Sequence, residues 1–494
     1  MSSWYTYTEV QPCDIRQTII HKVARVAQKE ENLSRFNTNT PTSRTTNRAG
    51  GQAYSQTPEL ALASLLLTSF LKDQFYRSGK QSQQELINLV AQVDPEFAAK
   101  AAIYARNEFG MRSVSHVVAG ELKDRVKGQK WAKSFYNKVV RRPDDALEIL
   151  SYVNCKPSHA MSKGLRAALE VFDAYQIGKY KAESKTLKLI DAVNIVHAHS
   201  EPIEQLAKGT LKTPETFETK LSAAGKSENK QEAKADAWKE LLENRKIGYL
   251  ALVRNLRNII EQAPELIPTA CDLLTDEKLV AKSKIFPFQL GQAYVEVKNL
   301  DRKIARAVSR AVDISCKNVP RFDGRTLVVV DESGSMRGQP ENVASIFAAV
   351  MAKAMDADIM TFDTRARWRS YNPDDSTLTI AEDLTFNGYG TALGVVFPAI
   401  NTKKYDRIFV MSDMQSWADN NWGQGTIRTG FNAYRSNVNP EVKLYSFDLQ
   451  GYGDMQFPEQ NVFCLAGWSD KVFNVIEQLE SGKSLVKQIN EVEL

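Results

Sequence analysis

From Thr57 to Cys316 the sequence is a succession of helical patterns, and almost no run shows the two-residue alternation of a half-buried strand. Apolar residues recur three and four apart over residues 58–72, 83–91, 95–109, 114–126, 131–140, 143–152, 159–172, 187–197, 202–208, 230–244, 249–262 and 300–316. Consecutive helices with apolar stripes and basic outer faces predict a helical array or solenoid rather than a compact bundle. No fixed repeat period is visible. Ahead of the array, residues 14–31 place Ile15, Ile19, Val23 and Val26 on one face of an amphipathic helix. Residues 32–55, rich in Thr, Asn, Ser, Arg and Gly, bury little and predict an exposed or mobile arm carrying Arg35, Arg44 and Arg48.

At Arg325 the texture changes. Thr326–Asp331 is an almost wholly apolar run ending in an acid, as a strand buried on both faces of a parallel sheet reads. A Gly/Ser loop and a helix over 341–355 follow, and further strands are predicted at 358–362, 407–412, 443–447 and 462–465, with helices at 392–400 and 471–480. Strands alternating with helices predict a doubly wound α/β domain with any site at the carboxyl ends of its strands. The division predicted is a helical part over 1–320 and an α/β part over 321–494.

Charge divides at the same place. Residues 1–320 carry 48 Lys and Arg against 36 Asp and Glu, and residues 321–494 carry 16 against 23, which together give the net +5 of the 494-residue chain. A basic part suggests a polyanionic partner, and an acidic part a cationic one such as a metal ion. The five cysteines, Cys13, Cys155, Cys271, Cys316 and Cys464, show no CxxC, and the five histidines no HExxH, so neither a zinc knuckle nor a histidine-based metal hydrolase is indicated. With no run of eighteen apolar residues and no basic-then-apolar start, the reading is a soluble, unexported, cytoplasmic protein without a membrane partner.

The first strand runs into Asp331-Glu332-Ser333-Gly334-Ser335. Asp331, Ser333 and Ser335, at alternate positions, can converge one carboxylate and two hydroxyls, a hard-oxygen set suited to Mg²⁺. Taken alone the pattern reads equally as side-chain turns and a helix cap. Gly388-Tyr389-Gly390-Thr391 and Ile408–Asp413 add Thr391 and Asp413, expected along the same sheet edge. With these three parts in order the segment resembles the von Willebrand factor A domain and its metal-ion-dependent adhesion site. The resemblance implies Asp331, Ser333, Ser335, Thr391 and Asp413 as ligands of a divalent ion, with an acid from a partner completing the coordination. Glu332 departs from the small or neutral residue expected between Asp331 and Ser333. No His, Cys or Lys stands beside Asp331 as nucleophile or base, so no catalytic residue is assigned and the protein is read as no enzyme.

The helical part, followed by such a domain, resembles the TROVE family, that of the Ro autoantigen and its bacterial counterparts. The stretches that carry this are residues 47–54, 163–168, 175–181, 187–197 with Asp191, 252–259 (LVRNLRNI), Phe286-Pro287-Phe288, and 318–320 leading into Gly324-Arg325-Thr326-Leu327. The resemblance implies an α-helical HEAT-like repeat ring closed by the α/β domain and acting as a monomer. It implies binding of small noncoding Y RNAs and of single-stranded ends of misfolded RNAs, with a 3′-to-5′ exoribonuclease as a partner in RNA quality control. Lys179, Lys181, Lys185 and Lys188, followed by His197, match the family's RNA-contacting stretch, although Glu183 stands close to where the family carries an Arg and its Trp-Ser-His segment is missing. Arg112 and His116, at the start of a predicted helix, are the next candidates for phosphate, with a core or capping role for His116 an equal reading. Lys130, Lys133, Lys138, Arg141 and Arg142 alternate with Trp131, Phe135 and Tyr136, a pattern read either as a base-stacking face or as a helix's buried side. Arg254 and Arg257 lie on one side of a helix, to line the ring or to bridge helices. Two other readings stand beside this one: a metal-dependent protein-interaction module with a passive helical scaffold, and a nuclease using Asp331 and Asp413.

Overall fold

The computed structural model describes residues 44–54 except Arg48, 57–68, 79–181, 186–417 except Thr385 and Asn387, 427–450, Tyr452, Gln456, Phe457, 462–466, 472–480 and 485–494. The helix expected over 14–31, Arg35, Arg48 and Lys185 lie outside them. Within Arg35–Leu494, one compact unit, helices succeed one another from Pro58–Thr68 to Arg302–Ser315, and strands of the main sheet begin at Thr326.

The helices form where the apolar spacing places them, and local chemistry sets their ends. Asp94 caps Pro95–Glu108 by accepting from the backbone N–H groups of Glu96 and Phe97, with Pro95 in the first turn where its missing donor costs nothing. Pro143 opens Pro143–Tyr152 likewise. The helix expected over 249–262 is two, Tyr249–Arg254 and Leu256–Gln262, divided at Asn255, whose side-chain amide donates to the Ala251 carbonyl. Buried side chains from Leu60 to Leu211 share one core with the sheet. Those from Trp238 to Val312, apart from Phe288, which joins the first, form a second core with Leu378.

The sheet has six strands: β3 (Thr326–Asp331), β4 (Asp358–Phe362), β5 (Ala366–Arg369), β6 (Arg407–Ser412), β7 (Lys443–Asp448) and β8 (Val462–Ala466), in the order β5-β4-β3-β6-β7-β8. Five are parallel, and β5 pairs antiparallel with β4 as an edge. The chain runs from β3 outward to β4 and later returns to lay β6 on the other side of β3. The switch point where α/β sheets open a crevice therefore falls between the carboxyl ends of β3 and β6.

Both ends of the helical series pack on this α/β part. At the far end, Phe286 and Phe288, flanking the start of Pro287–Val297, enter an aromatic cluster: Phe288 lies 6.4 Å from Phe347 and 6.2 Å from Phe473, and Phe286 5.6 Å from Phe473. At the near end, Pro58–Thr68 packs against β8, and Pro95–Glu108 against Leu485–Asn490. There Tyr104 Oη donates to Gln488 (2.7 Å) and Lys100 Nζ to the Asn490 carbonyl (3.1 Å).

A short antiparallel hairpin, β1 (Arg44–Thr46) and β2 (Gln52–Tyr54), corrects the expectation of a loose arm for this stretch. Its turn is held by Asn47, which is buried. The Asn47 carboxamide oxygen accepts from the N–H groups of Ala49 (3.1 Å) and Gly51 (2.7 Å), and its nitrogen donates to the Ser416 carbonyl (2.8 Å) beyond β6. Any Cβ on Gly51 would stand 1.9 Å from the Ser416 oxygen, so the approach requires glycine. Replacing Asn47 with Ala strands these buried groups and should cost about 1–3 kcal/mol. Urea unfolding of the full chain measures this, and an unchanged midpoint would refute the hairpin's role as a fastener.

Candidate functional site

The five residues expected to meet at the sheet edge do converge. Asp331 ends β3, Asp413 follows β6, and the loop carrying Thr391 lies over Ser333-Gly334-Ser335, where the Gly334 N–H donates to the Tyr389 carbonyl (3.3 Å). Asp331 and Asp413 are fully buried and Ser333, Ser335 and Thr391 nearly so. Asp331 Oδ1 accepts from the Ser333 N–H (2.9 Å) and Oδ2 from the Ser412 hydroxyl (2.6 Å), while the Ser333 and Ser335 hydroxyl oxygens stand 3.3 Å apart. Asp413 Oδ1 accepts from the Gln415 N–H (3.2 Å). Burial, and then the negative charge of Asp413, push the Asp331 carboxyl up to about 7. Among the described residues no three His, Cys, Asp or Glu side chains gather as a metal-binding group. The donors here are two carboxylates and three hydroxyls, a set that fits a hard divalent cation and offers nothing to a soft one.

Glu332 faces away from this set. It is fully buried and pairs with Arg367 and with Arg369 (Nη2 to Oε2, 2.9 Å) on β5, and Arg367 also reaches Asp363 (3.0 Å). Two guanidiniums on the edge strand thus balance the extra carboxylate. Tyr389, 66% exposed, and Trp417, 45% exposed, belong to the loops carrying Thr391 and Asp413.

The helical candidates divide. Lys179 ends the Ala174–Lys179 helix and is exposed. Lys188, which caps Leu189–Val196, is also exposed, as is His197 at that helix's left-handed C-cap (φ 54°). Lys181 is half-buried, its ammonium donating to the Leu211 carbonyl (3.5 Å). Arg112 and His116 have a different place. Asp145, fully buried, accepts from Arg106 Nη2 (2.7 Å), Arg112 Nε (3.0 Å) and the backbone N–H groups of Arg141 and Arg142. His116, 3% exposed, lies between Asp145 (3.3 Å) and Glu148 (2.7 Å), and Arg112 also reaches Asp144 and Glu148. These two cations are spent on carboxylates of Pro143–Tyr152, which corrects their assignment to phosphate. Phe135 and Tyr136 are wholly buried and Trp131 partly, so the aromatic stretch is a helix's core side and not a stacking face. Arg254 and Arg257 are exposed, and Arg257 pairs with Glu261 (2.9 Å).

A helical series with both ends on a doubly wound α/β domain defines the class. Residues 62–189 and 206–360 match the TROVE domain, and the chain belongs to that family, one of RNA-binding proteins. The crystal structure of the RO (RSR) protein of Deinococcus radiodurans covers 86% of this chain, over the whole of that one, with a TM-score of 0.61 and 16% identity, so the likeness is one of fold. Among curated proteins, the mouse Telomerase protein component 1 is 21% identical over 356 residues, 51% of this chain, and its rat counterpart 22% over 359 residues, 52% of the chain. The match spans 13% of the length of either relative.

The Asp145 network sets a pH dependence. Burial by itself lowers the His116 value, but Asp145 and Glu148 outweigh it and raise the imidazolium above its ordinary 6.5. Hydrogen bonding to His116 holds Glu148 low; Asp145, despite burial, is also held low by His116 and Arg106. The His116 contribution is therefore full below about pH 6.5 and lost as pH rises through the raised value; the carboxylate contribution is lost as pH falls through the depressed values. Urea unfolding should show wild-type stability falling as pH rises through the raised His116 value, with that fall absent in His116→Gln. A parallel decline in both would refute the assignment.

Proposed function

We propose that this protein is a non-enzymatic RNA scaffold: a ring of helical repeats, closed by its α/β domain, that binds small noncoding RNAs of the Y type and single-stranded ends of misfolded RNAs. The reading extends to a monomeric, cytoplasmic protein working with an exoribonuclease in RNA quality control. One observation carries it. In a chain of an RNA-binding family, Lys179, Lys188 and His197 stand exposed on successive segments, with Lys181 beside them, while Arg112 and His116 are held by acids. Lys185 completes the set in sequence. Cations of this kind attract phosphate largely without regard to sequence and through release of counterions. No helix among the described residues is long and apolar enough to cross a membrane.

The α/β part is proposed to hold a divalent ion, Mg²⁺ foremost, through Asp331, Ser333, Ser335, Thr391 and Asp413. When bound, such an ion neutralises two buried carboxylates and presents a Lewis-acidic position to an anionic partner group. The chain's own part is to fix the oxygens: Ser412 and the Ser333 N–H hold Asp331, and Gln415 holds Asp413. A second reading, the metal site as a protein-interaction surface, is favoured by the exposed Tyr389 and Trp417 beside it. The two readings assign different parts of one molecule.

Gel-shift titration with a hairpin RNA bearing a single-stranded 3′ tail should show affinity falling steeply with salt. The double variant Lys179→Ala, Lys181→Ala should bind more weakly and with a shallower salt slope. Asp331→Ala should leave RNA affinity unchanged while abolishing stabilisation by Mg²⁺ in thermal unfolding. Ionising a carboxyl whose value is raised to about 7 costs stability as pH rises from the ordinary carboxylate range, so that stabilisation should be larger at pH 8 than at pH 5.5. A flat salt response would refute RNA binding, and Mg²⁺ stabilisation surviving in Asp331→Ala would refute the metal site.

A further inference from the structure

Beside the exposed lysines the surface is hollowed. A groove of about 540 Å³ lies between the Ala174–Lys179 helix and the segment after Glu201–Ala207, lined by Tyr175, Gln205, Thr210, Leu211, Lys212 and Pro214. Tyr175 is 48% exposed, one of the few large apolar side chains left open among the described residues. Most exposed aromatics in a folded chain are isolated, but this one forms the wall of a concavity. The groove is built by a close approach: a Cβ on Gly178 would stand 2.9 Å from Pro214 Cδ, so helix and segment meet there only because residue 178 has no side chain.

The cations are arranged around the same space. Lys179 Nζ sits 5.8 Å from the centre of the Tyr175 ring. Lys181 Nζ reaches the carbonyl of Leu211, a lining residue, and Lys212 lines the groove and is exposed. Lys208, by contrast, is paired with Glu204 (3.6 Å). An aromatic face, apolar side chains and one ammonium group in the lining, with Lys179 and Lys181 on neighbouring lining residues, are what a nucleotide requires: a π-surface for the base and cations for its phosphates. The Thr210 hydroxyl, which donates to the Gln205 carbonyl (3.4 Å), and the Gln205 carboxamide add polar groups where a base edge would lie.

We propose that this groove receives one unpaired base of a bound RNA, stacked on Tyr175 with its flanking phosphates on Lys179, Lys181 and Lys212. The proposal rests on the RNA-scaffold reading and adds a contact that reads the base face rather than charge. Its signature is therefore different from that of the lysines, because stacking releases no counterions and leaves the salt slope unchanged.

The test uses the full-length protein and a fluorescein-labelled hairpin RNA with a single-stranded 3′ tail, titrated by fluorescence anisotropy at two salt concentrations. Tyr175→Ala should weaken binding by roughly 5- to 150-fold, the range carried by one stacked base, with the wild-type salt slope. Tyr175→Phe should bind like the wild type. In wild-type protein, 5-bromouridine in the tail should photo-crosslink to the peptide containing Tyr175, a readout that needs no variant. Wild-type binding that Tyr175→Ala leaves unchanged, or crosslinks confined to other peptides, would overturn the groove and spare the scaffold. A wild-type protein that binds neither tailed nor blunt RNA would overturn both.

Discussion

A series of stacked helices cannot bury its own terminal faces, and in this protein one α/β domain covers both of them. At one end the cover is aromatic: Phe288 enters the cluster of Phe347 and Phe473. At the other an apolar core shared with the sheet is fastened by hydrogen bonds: Asn47 on the Ser416 carbonyl, Tyr104 on Gln488, and Lys100 and Lys138 on carbonyls near the carboxyl terminus. Apolar contact is insensitive to small shifts, whereas the Asn47 hairpin, with Gly51 against the Ser416 carbonyl, tolerates almost none. The Asn47 hairpin therefore sets the register in which that end meets the sheet.

That register reaches the candidate metal site. The loop after β6 that accepts Asn47 also begins with Asp413, and the same loop grips the Thr391 segment: the Ser416 hydroxyl donates to the Thr391 carbonyl (3.2 Å), and so does the Trp417 N–H (3.1 Å). Gln415 holds Asp413 through its backbone while its side-chain carbonyl accepts from the Ala49 N–H (3.2 Å). Ala49 of the hairpin is thus linked to Asp413 by two hydrogen bonds through Gln415. A change in that pair's charge and a change in the hairpin's seating act on one loop.

Much of this was legible in the sequence, and the gaps have physical causes. β3, β4 and β6 stand at the bounds their apolar runs predict, because strands buried on both faces leave an uninterrupted hydrophobic signature. β5 (ARWR) escaped that reading: an exposed edge has no such run, and its arginines are there to meet Glu332 and Asp363. The hairpin at Asn47 reads as a loose arm in sequence because its fastening on Ser416 lies 369 residues away. The helices Ile267–Leu274 and Pro287–Val297 carry prolines at their starts that read as breaks, although proline is at home in a first turn, and Glu277–Ser283, with 7 residues, is too short to show a clear stripe. Asp331 ends β3 with Ser333 and Ser335 just beyond it, Asp413 follows β6, and Thr391 lies in a loop bonded to the segment after Asp413, so the strand ends were legible and the side-chain geometry was not.

Arg112 and His116 show why charge alone is a poor guide to a polyanion site. In sequence they stand free of acids, and only the packing of Ser113–Glu121 on Pro143–Tyr152 brings Asp144, Asp145 and Glu148 against them. Withdrawing a buried carboxylate such as Asp145 from water is costly, and two guanidiniums and an imidazole offset that cost where they stand; cations so committed are not available to phosphate. The net positive charge of residues 1–320 therefore overstates what the helical part can offer RNA. What counts is the exposed remainder: Lys179 stands 5.8 Å from the centre of the open Tyr175 ring and Lys212 lines the groove beside it, which is where the proposal lets electrostatic attraction and base stacking act on one nucleotide.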